Sequence, residues 1–300
     1  MRNRIAVFMI ASFATVLAAA KVDAALIVYE GFDYTAGGNV TGQSGGTGPW
    51  DSAWRTGPSA ATAKIDSTGL AYPGLEVSGL AGDSATPPTT SNNFRDVGPF
   101  NSGDVWFSFL AKPQAANAIT GGSNFFGLSM YEGGDAGSGA VMAIAKNSTT
   151  SKWGLVAFPT STGGSGPHGT GTANFGAVNP LSPDVVVDQT YLLVAHIHYA
   201  TGIGADTADM MSLYIDPPAA PNPPAIPDVT YTDTMGATTG QMSFDRIRVA
   251  SQNGRDWMYD EIRIGDSFED VAVIPEPNSI VSLAIAIALM LSTLRRAQGL

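Results

Sequence analysis

Hydrophobic and polar positions alternate in short runs along most of the chain, and no segment between residues 25 and 274 keeps an apolar 3.6-residue period over three turns. Short runs of β-branched and aromatic residues, separated by Gly, Pro and Asn, are typical of β-strands. The pattern therefore predicts an all-β body. The clearest predicted strands are 26–34, 105–112, 124–131, 141–145, 153–158, 190–199, 211–216, 242–250 and 257–265, with weaker ones near 50–55, 70–77 and 94–97.

Two of the predicted strands share a near-repeat. Phe244–Ala250 and Tyr259–Gly265 both read aromatic, Asp, charged, Ile, Arg, β-branched, small. An Asn-Gly pair lies between them, and this pair favours the turn of a hairpin. Strict alternation would place Asp245 and Asp260 at the start of the apolar face of each strand, where a carboxylate needs partners such as backbone N–H groups.

Three segments are marked as loops by their composition. Residues 36–48 and 161–176 contain six Gly each, and residues 216–228 contain six Pro among 13 positions. Glycine permits turns with positive φ, and the proline-rich segment is expected to be an extended polyproline II excursion. Gly42-Gln43-Ser44-Gly45-Gly46 fits the Gly-x-Ser-x-Gly nucleophile pattern, but that pattern has meaning only between a strand and a helix. We interpret this match as a coincidence within a glycine-rich loop.

The composition of the 300 residues is that of a globular chain, with 44% hydrophobic and 14% charged residues. Disorder would combine low hydrophobicity with high charge. The absence of Cys excludes a disulfide scaffold and a Cys-based metal site. Because the composition does not break into halves, residues 25–272 are predicted to form one large β-sandwich.

The first 24 residues have the pattern of a secretory signal peptide. Met1–Arg4 is basic, an apolar run follows over residues 5–20, and Val22-Asp23-Ala24 provides small residues for cleavage after Ala24. The Ala18–Ala20 run is a competing cleavage site. An uncleaved anchor helix is the alternative interpretation of this segment.

The last 28 residues, 273–300, form a three-part tail. Pro275, Glu276 and Pro277 are followed by a predicted transmembrane helix over 279–294, with an uncharged run from Ile280 to Leu294, and then by Arg295 and Arg296. A spanning helix needs about 20 apolar residues, so this short run suits an anchor that is later processed. The two arginines would stay on the cytoplasmic side. An ordinary single-pass tail anchor is the alternative.

This tail resembles the PEP-CTERM sorting signal of exported bacterial proteins. The resemblance implies an exosortase-type sorting peptidase as a partner, contact with the inner membrane during sorting, and a destination at the cell surface or in the extracellular matrix. The strands that contain YEGFDY, VWFSFLAK, NFFGLSMYEGG and YDEIRIG resemble the concanavalin A-like, laminin-G-like jelly rolls common among PEP-CTERM proteins of the planctomycete type. That resemblance implies an antiparallel two-sheet jelly-roll sandwich, with relatives that bind carbohydrate.

The net charge of residues 25–274 limits the classes of partner that this part of the chain can bind. The terminal segments hold five of the 15 basic and two of the 26 acidic residues, which leaves a net charge near −14 on residues 25–274. Such a charge repels phosphate backbones and argues against a nucleic-acid partner, whereas divalent cations become plausible partners.

No catalytic residues can be assigned from the sequence. The Glu-x-Asp-x-x-Glu arrangement of carboxylates that retaining glycosidases use on this kind of sandwich does not occur. We therefore expect a non-enzymatic structural or carbohydrate-interaction module that binds extracellular polysaccharide. The alternative is a polysaccharide-active enzyme, a glycoside hydrolase or lyase, on the same jelly-roll fold. Trp50, Trp54 and Trp257 are the candidates for stacking on sugars, while Trp106 and Trp153 lie in apolar runs and are predicted to be core.

Two features could bind metal ions. His196 and His198 are two positions apart on a predicted strand, so both imidazoles can point the same way, as a metal pair requires. Solvent-facing or packed histidines are the default interpretation of this pair. A structural calcium ion could be held by Asp206 with Asp209 or Asp216, although no EF-hand spacing exists and no site is assigned.

Overall fold

The computed structural model describes residues 26–58, 60–75, 77, 79–84, 90–116, 126–136, 139–146, 151–158, 174–199, 209–218, 220–232, 243–251 and 255–272. The predicted signal peptide, the tail with Pro275, Glu276, Pro277, Arg295 and Arg296, and most of the loop 161–176 lie outside these residues. Within the described ranges, no helix has both the length and the apolar character needed to cross a membrane.

The described residues form two antiparallel β-sheets, which confirms the predicted all-β, two-sheet sandwich. Counted over the described residues, one sheet has nine strands in the order β11-β14-β13-β12-β6-β16-β4-β3, with β1 also paired to β16, and the other has seven in the order β10-β9-β8-β7-β15-β5-β2. The strands are β1 (Leu26–Glu30), β2 (Arg55–Thr56), β3 (Lys64–Asp66), β4 (Ala81–Asp83), β5 (Ser91–Phe100), β6 (Asp104–Pro113), β7 (Phe126–Tyr131), β8 (Ala140–Lys146), β9 (Trp153–Ala157), β10 (Asn174–Phe175), β11 (Ala177–Val178), β12 (Tyr191–His198), β13 (Met210–Ile215), β14 (Val229–Thr232), β15 (Phe244–Ser251) and β16 (Trp257–Gly265), and one short helix is α1 (Phe268–Ala272).

The main core lies between the two sheets. Phe109 and Leu193 from the nine-stranded sheet pack in one cluster with Leu128 and Ile144 from the seven-stranded sheet, and all four are at most 1% exposed. A second apolar cluster lies on the outer face of the nine-stranded sheet, where α1 and the segment 70–77 cover it. Because apolar side chains are buried on both faces, β6 and β12 read as nearly continuous hydrophobic runs.

The weaker strand predictions are only partly correct. The predicted strand near 94–97 is the ten-residue β5. The described residues of the segment 70–77 form no named strand, and Tyr72 and Leu75 pair there in an isolated bridge. Its apolar residues instead cover the outer face of the nine-stranded sheet. Because they are buried there, the segment has the apolar residues that also predict a strand.

The near-repeat does not form the predicted hairpin. β15 lies in the seven-stranded sheet between β7 and β5, whereas β16 lies in the nine-stranded sheet between β6 and β4. The chain therefore passes from one sheet to the other between Ser251 and Trp257. Both strands turn the same apolar pattern towards the shared core from opposite sides, and the resemblance of their sequences reflects this common environment rather than mutual pairing.

A β-bulge in each strand of the near-repeat allows an aromatic residue and the Ile three positions later to face the same side. Phe244 and Ile247 both face the main core, as do Tyr259 and Ile262. Strict alternation would put residues three apart on opposite faces. The strand register does shift at both places, and the extra residue of a bulge returns the Ile to the inner face.

The bulge in β16 also moves Asp260 away from its predicted place on the apolar inner face. Glu261 adopts a positive φ of 55°, and Asp260 turns towards Leu70 in the outer cluster. Its two carboxylate oxygens accept hydrogen bonds from the N–H groups of Leu70 (3.1 Å) and Glu261 (2.8 Å). The expected need for backbone partners is thus confirmed, although the face is different.

A buried ion pair joins the two sheets at one end of the sandwich. Glu30 ends β1 in the nine-stranded sheet, Arg95 lies in β5 of the seven-stranded sheet, and each side chain is 1% exposed. Glu30 also accepts hydrogen bonds from Phe32 N–H (2.8 Å), the Tyr34 hydroxyl (2.6 Å) and Trp54 Nε1 (3.0 Å). A buried carboxylate needs this many donors, because burial removes its hydration.

Arg95 holds the glycine-rich loop against this end of the sandwich. Its guanidinium donates to the carbonyl oxygens of Gly45 (2.7 Å) and Ser52 (3.0 Å) and lies 4.1 Å from the centre of the Trp50 ring. Gly46, with a φ of 80°, lies so close to the backbone of β1 that a Cβ there would overlap the carbonyl oxygen of Tyr29. The loop is therefore a packed structural element.

Replacing Glu30 by Gln should destabilise the fold strongly, because Arg95 would remain charged, buried and without its counterion. Loss of one partner of a buried pair typically costs about 3–5 kcal/mol. The matched control is Lys112→Gln, because Lys112 and Asp188 form a 3.6 Å pair with 28% and 71% exposed side chains, and such a surface pair is worth about 0–1 kcal/mol. Urea unfolding monitored by circular dichroism measures both; equal effects would refute this role for Glu30.

Candidate functional sites on the outer face of the nine-stranded sheet

Asp104, His196 and His198 come together where β6 and β12 run side by side. His198 is directly opposite Asp104 in the antiparallel register, and His196 is directly opposite Trp106. Asp104 Oδ1 is 2.7 Å from His196 Nε2 and 2.8 Å from His198 Nδ1. The prediction that the two imidazoles share a face is thus confirmed, and the structure adds a carboxylate from the neighbouring strand.

Packing orients this cluster but leaves it open to solvent. The His196 ring stacks on Trp106, with centroids 4.1 Å apart and an interplanar angle of 5°, and Trp106 is itself packed against Tyr214 and Phe268. The side chains of Asp104 and His198 are 50% and 53% exposed, and that of His196 is 22% exposed. The predicted burial of Trp106 is confirmed, and it supports the histidine beside it.

The ionisation of the cluster follows from its geometry. Burial alone would raise the pKa of Asp104, but hydrogen bonds from His198 and His196 hold that pKa below its usual value. Desolvation lowers the pKa of His196, although its bond to Asp104 acts in the opposite direction. At neutral pH the cluster therefore combines a carboxylate with a neutral His196 imidazole. These are the protonation states in which the two groups can bind a metal ion.

An open groove lies at the other end of the same face. It has a volume of about 540 Å³ and is lined by Tyr72, Leu75, Gln189, Thr190, Leu192, Asp216, Pro217, Ala272 and their neighbours. Leu192 and His198 lie on the same face of β12, six residues apart, which at about 3.3 Å per residue corresponds to ~20 Å. The groove and the cluster of Asp104, His196 and His198 are therefore separate sites.

Asp216 supplies the carboxylate of the groove. Its Oδ1 accepts a hydrogen bond from Leu192 N–H at 2.8 Å, and the Tyr72 hydroxyl donates to the same side chain. Burial raises the pKa of Asp216, whereas these two hydrogen bonds lower it in part. Desolvation and the neighbouring carboxylate both raise the pKa of Tyr72, so its hydroxyl stays protonated and serves as a donor. Within the described lining, Asp216 is the single carboxylate.

Asp96, Asp135 and Asp245 are paired with arginines. On the outer face of the seven-stranded sheet, Arg55 binds both oxygens of Asp135 (2.7 and 2.6 Å) and also Asp96 (2.6 Å). Arg246 adds contacts with Asp135 at 3.0 Å and Asp245 at 2.7 Å. Burial acts to raise the pKa of Asp135, but the hydrogen bonds from the two arginines outweigh this effect and hold the pKa below its usual value. This network stabilises the surface and leaves no carboxylic acid ready to donate a proton.

Asp260 and Glu261 are adjacent carboxylates, yet they do not form an active site. Burial raises the pKa of Asp260 to about 9, and the nearby charge of Glu261 adds to the effect. A raised pKa is common in catalytic acids. However, Asp260 is 0% and Glu261 1% exposed, and Glu261 is held by the Tyr29 hydroxyl (2.9 Å) and Arg263 (2.7 Å). A substrate has no access to either group.

The candidate stacking residues are largely buried. Trp54 is 1% exposed and Trp257 is 0% exposed; both pack in the main core, so the expectation that they present a ring face to a sugar is wrong. Trp54 is held there by its bond to Glu30, and Trp257 because it faces inwards from β16. Trp50 is half-buried, and Arg95 covers one face of its ring. Trp153, as predicted, is core.

Of the acidic residues considered for calcium, the two that the structure describes, Asp209 and Asp216, lie far apart. Asp209 precedes β13 and Asp216 follows it, so about 3.3 Å per residue separates them by ~23 Å. Asp206 lies outside the described residues. Asp216 also already accepts two hydrogen bonds. Each predicted pair includes Asp206, so the calcium site stays a prediction.

The Gly-x-Ser-x-Gly match has no catalytic setting in the structure. Gly42–Gly46 lies in the loop between β1 and β2, with neither a helix nor a named strand directly beside it. Its glycines serve the packing of the loop, since Gly45 O accepts from Arg95 and Gly45 N–H donates to the Tyr34 hydroxyl oxygen. This agrees with its interpretation as a coincidence.

No protein-family model and no curated protein matches the sequence. Solved structures with a similar fold include the globular domain of T. cruzi calreticulin, with 10% identity, a TM-score of 0.46 and coverage of 72% of this chain and 85% of that one. An endo-1,3-β-glucanase from Streptomyces sioyaensis has 12% identity, a TM-score of 0.45 and coverage of 82% and 97%. An alginate lyase from Chlorella virus has 9% identity, a TM-score of 0.39 and coverage of 77% and 91%.

Asp260 should make stability fall as pH rises. The unfolded chain releases this proton near a pKa of about 3.9, whereas the folded chain keeps it up to a pKa of about 9. Between these values the folded state binds more protons, so the free energy of unfolding decreases with pH by up to about 1.4 kcal/mol per unit. Asp260→Asn cannot ionise and should lack this contribution.

Urea unfolding of both proteins between about pH 5 and 8 measures the effect as the difference between the two curves. Other titrating groups cancel in that difference. Asp33→Asn makes the same chemical change at the exposed Asp33 and is the matched control for the replacement itself. Parallel curves for Asp260→Asn and the parent would show that Asp260 is ionised in the folded state.

Proposed function

We propose that this protein is an exported, non-enzymatic β-sandwich that interacts with extracellular polysaccharide at the cell surface or in the matrix. The groove lined by Tyr72, Gln189, Thr190 and Asp216 carries the proposal. Its volume falls in the range of ordinary ligand sites. An aromatic ring, an amide, a hydroxyl and a carboxylate are the groups that recognise sugar hydroxyls and the apolar faces of sugar rings.

The carboxylates favour binding over hydrolysis. A retaining glycosidase needs two carboxyl groups about 5–5.5 Å apart, and an inverting one needs them about 6.5–9.5 Å apart. Asp216 has no carboxylate partner among the described lining residues of the groove. The buried Asp260 and Glu261 and the arginine-bound Asp135 are unsuited to proton transfer to a glycan.

Export and sorting complete the proposal. The signal peptide over residues 1–24 would direct the chain across the inner membrane. The tail, with Pro275, Glu276 and Pro277 before its apolar run and Arg295 and Arg296 after it, would be recognised by an exosortase-type peptidase. Because sorting and glycan binding depend on different segments, each part of the proposal can fail without the other.

The alternative is a polysaccharide-active enzyme on the same fold, and one experiment separates the two. The full-length chain, kept in solution with a non-glycosidic detergent, is applied to a glycan array with and without EDTA. Any polysaccharide that binds is then incubated with the protein and examined for shortened products. Binding without cleavage is the expected result, and cleavage would establish the enzyme instead.

Two variants test whether the groove is responsible. Tyr72→Ala removes the ring and should reduce the array signal at least about tenfold, the size of a lost contact of 1.4 kcal/mol. Ile226→Ala is the matched control. Ile226 belongs to the proline-rich segment 216–228, which also supplies Asp216 to the groove, and it is 73% exposed but does not line the groove. Equal binding by the parent and Tyr72→Ala would exclude the groove, and no binding to any glycan would leave a purely structural surface protein.

A further inference from the structure

We infer that Asp104, His196 and His198 bind a divalent transition-metal ion such as Zn²⁺. One ligand atom from each side chain lies within 4.8 Å of the other two. Two imidazoles and a carboxylate are a common ligand set for such ions. This inference does not depend on the proposed glycan groove, because the two sites lie at opposite ends of the sheet face.

The register of β6 and β12 prepares the site before any ion arrives. His198 pairs with Asp104, and His196 lies two residues back on the same face. Eight successive residue pairs, from Tyr191 with Ala111 to His198 with Asp104, fix this register. Asp104 Oδ1 is 2.7 Å from His196 Nε2 and 2.8 Å from His198 Nδ1. Tetrahedral bonds of about 2.0–2.2 Å to Zn²⁺ place ligand atoms about 3.3–3.6 Å apart, so the carboxylate and each imidazole must separate by about 0.5–0.9 Å.

Trp106 acts as a positioning residue for His196. The parallel stack, with centroids 4.1 Å apart, fixes the plane of the imidazole, and Trp106 is itself only 8% exposed among Leu110, Tyr214 and Phe268. A ligand held by packing loses less conformational entropy when it binds. The atom that would contact the ion, His196 Nε2, points towards Asp104.

The donor atoms select the class of ion. Two imidazole nitrogens favour transition metals, whereas calcium prefers six to eight oxygen ligands. When an ion replaces the hydrogen bonds, each neutral imidazole keeps its proton on the ring nitrogen that faces away from the ion. Three protein ligands, with Asp104 and His198 about half exposed, leave at least one coordination position for water or for an oxygen of an external ligand.

Isothermal titration of the full-length chain, prepared without a histidine tag, tests the site with Zn²⁺ as the probe. One saturable ion per chain is expected. His198→Ala and Asp104→Asn should each weaken binding at least about tenfold, since even indirect supports of a metal site contribute that much. Both side chains are half exposed, so these variants should retain the parent's melting temperature in EDTA, which checks the fold.

Two controls distinguish this site from adventitious binding. His168→Ala removes the remaining histidine of the chain and should leave Zn²⁺ binding unchanged. Met210→Leu alters the exposed residue directly opposite His198 on β13 and should also have no effect, because zinc prefers nitrogen, oxygen and thiolate ligands to a thioether.

A second readout places the ion beside Trp106. Cu²⁺ bound at His196 should quench Trp106 fluorescence, because the two rings are in contact, and the quenching should disappear in Trp106→Phe and in His198→Ala. Absence of Zn²⁺ binding in the parent, or affinity in Asp104→Asn and His198→Ala equal to that of the parent, would overturn the inference. Calcium binding in place of zinc would overturn the assigned class of ion.

Discussion

The buried ion pair of Glu30 and Arg95 is the contact on which one end of the sandwich depends. It joins the nine-stranded sheet to the seven-stranded sheet, and the partners that satisfy it, Tyr34, Trp54 and the carbonyls of Gly45 and Ser52, all come from the chain between β1 and β2. A buried charge without partners is unfavourable by several kcal/mol. The loop must therefore close over the pair in one arrangement, and its glycines permit the close approach to β1.

The outer face of the nine-stranded sheet is divided by what covers it. α1 and the segment 70–77 bury the middle of the face through Leu110, Val194 and Phe268, and this cover leaves two exposed ends. At one end the cover itself forms a wall of the groove, through Tyr72 and Ala272. At the other end, β6 and β12 extend beyond this cover, and Asp104, His196 and His198 are accessible to solvent there. The same apolar cluster thus separates the two sites and supports both.

Carboxylates of the described residues are found in several kinds of surroundings, of which three are compared below. Some carboxylates, such as Asp135, are bound by arginines on the surface. Others, such as Asp260, are buried where the protonated form is favoured. Asp104 and Asp216 remain beside solvent with histidine or tyrosine as partners. Each of the two proposed sites contains one member of this last group.

Much of the fold could be predicted from the pattern of residues. The bounds of β16 agree with the predicted strand, and those of β6, β8, β9 and β12 differ by one residue at most at each end, because their apolar runs are bounded by turn residues. The two histidines were also found from their spacing, since residues two apart in a strand always share a face. Asp104 was missed, as it lies 92 positions from His196 and only the register of β6 against β12 brings them together.

Local alternation thus predicted most of the strands and which side of β12 carries the histidines, and the even composition predicted a single sandwich. The antiparallel two-sheet arrangement is implied by the resemblance to jelly-roll proteins. Tertiary structure decided what lies across from each strand. It separated the near-repeat into two sheets, turned Asp260 outwards through a bulge, and buried Trp54 and Trp257. The physical reason is that strand formation depends on neighbours in the sequence, whereas pairing, bulges and burial depend on distant residues that a hydrophobic pattern does not specify.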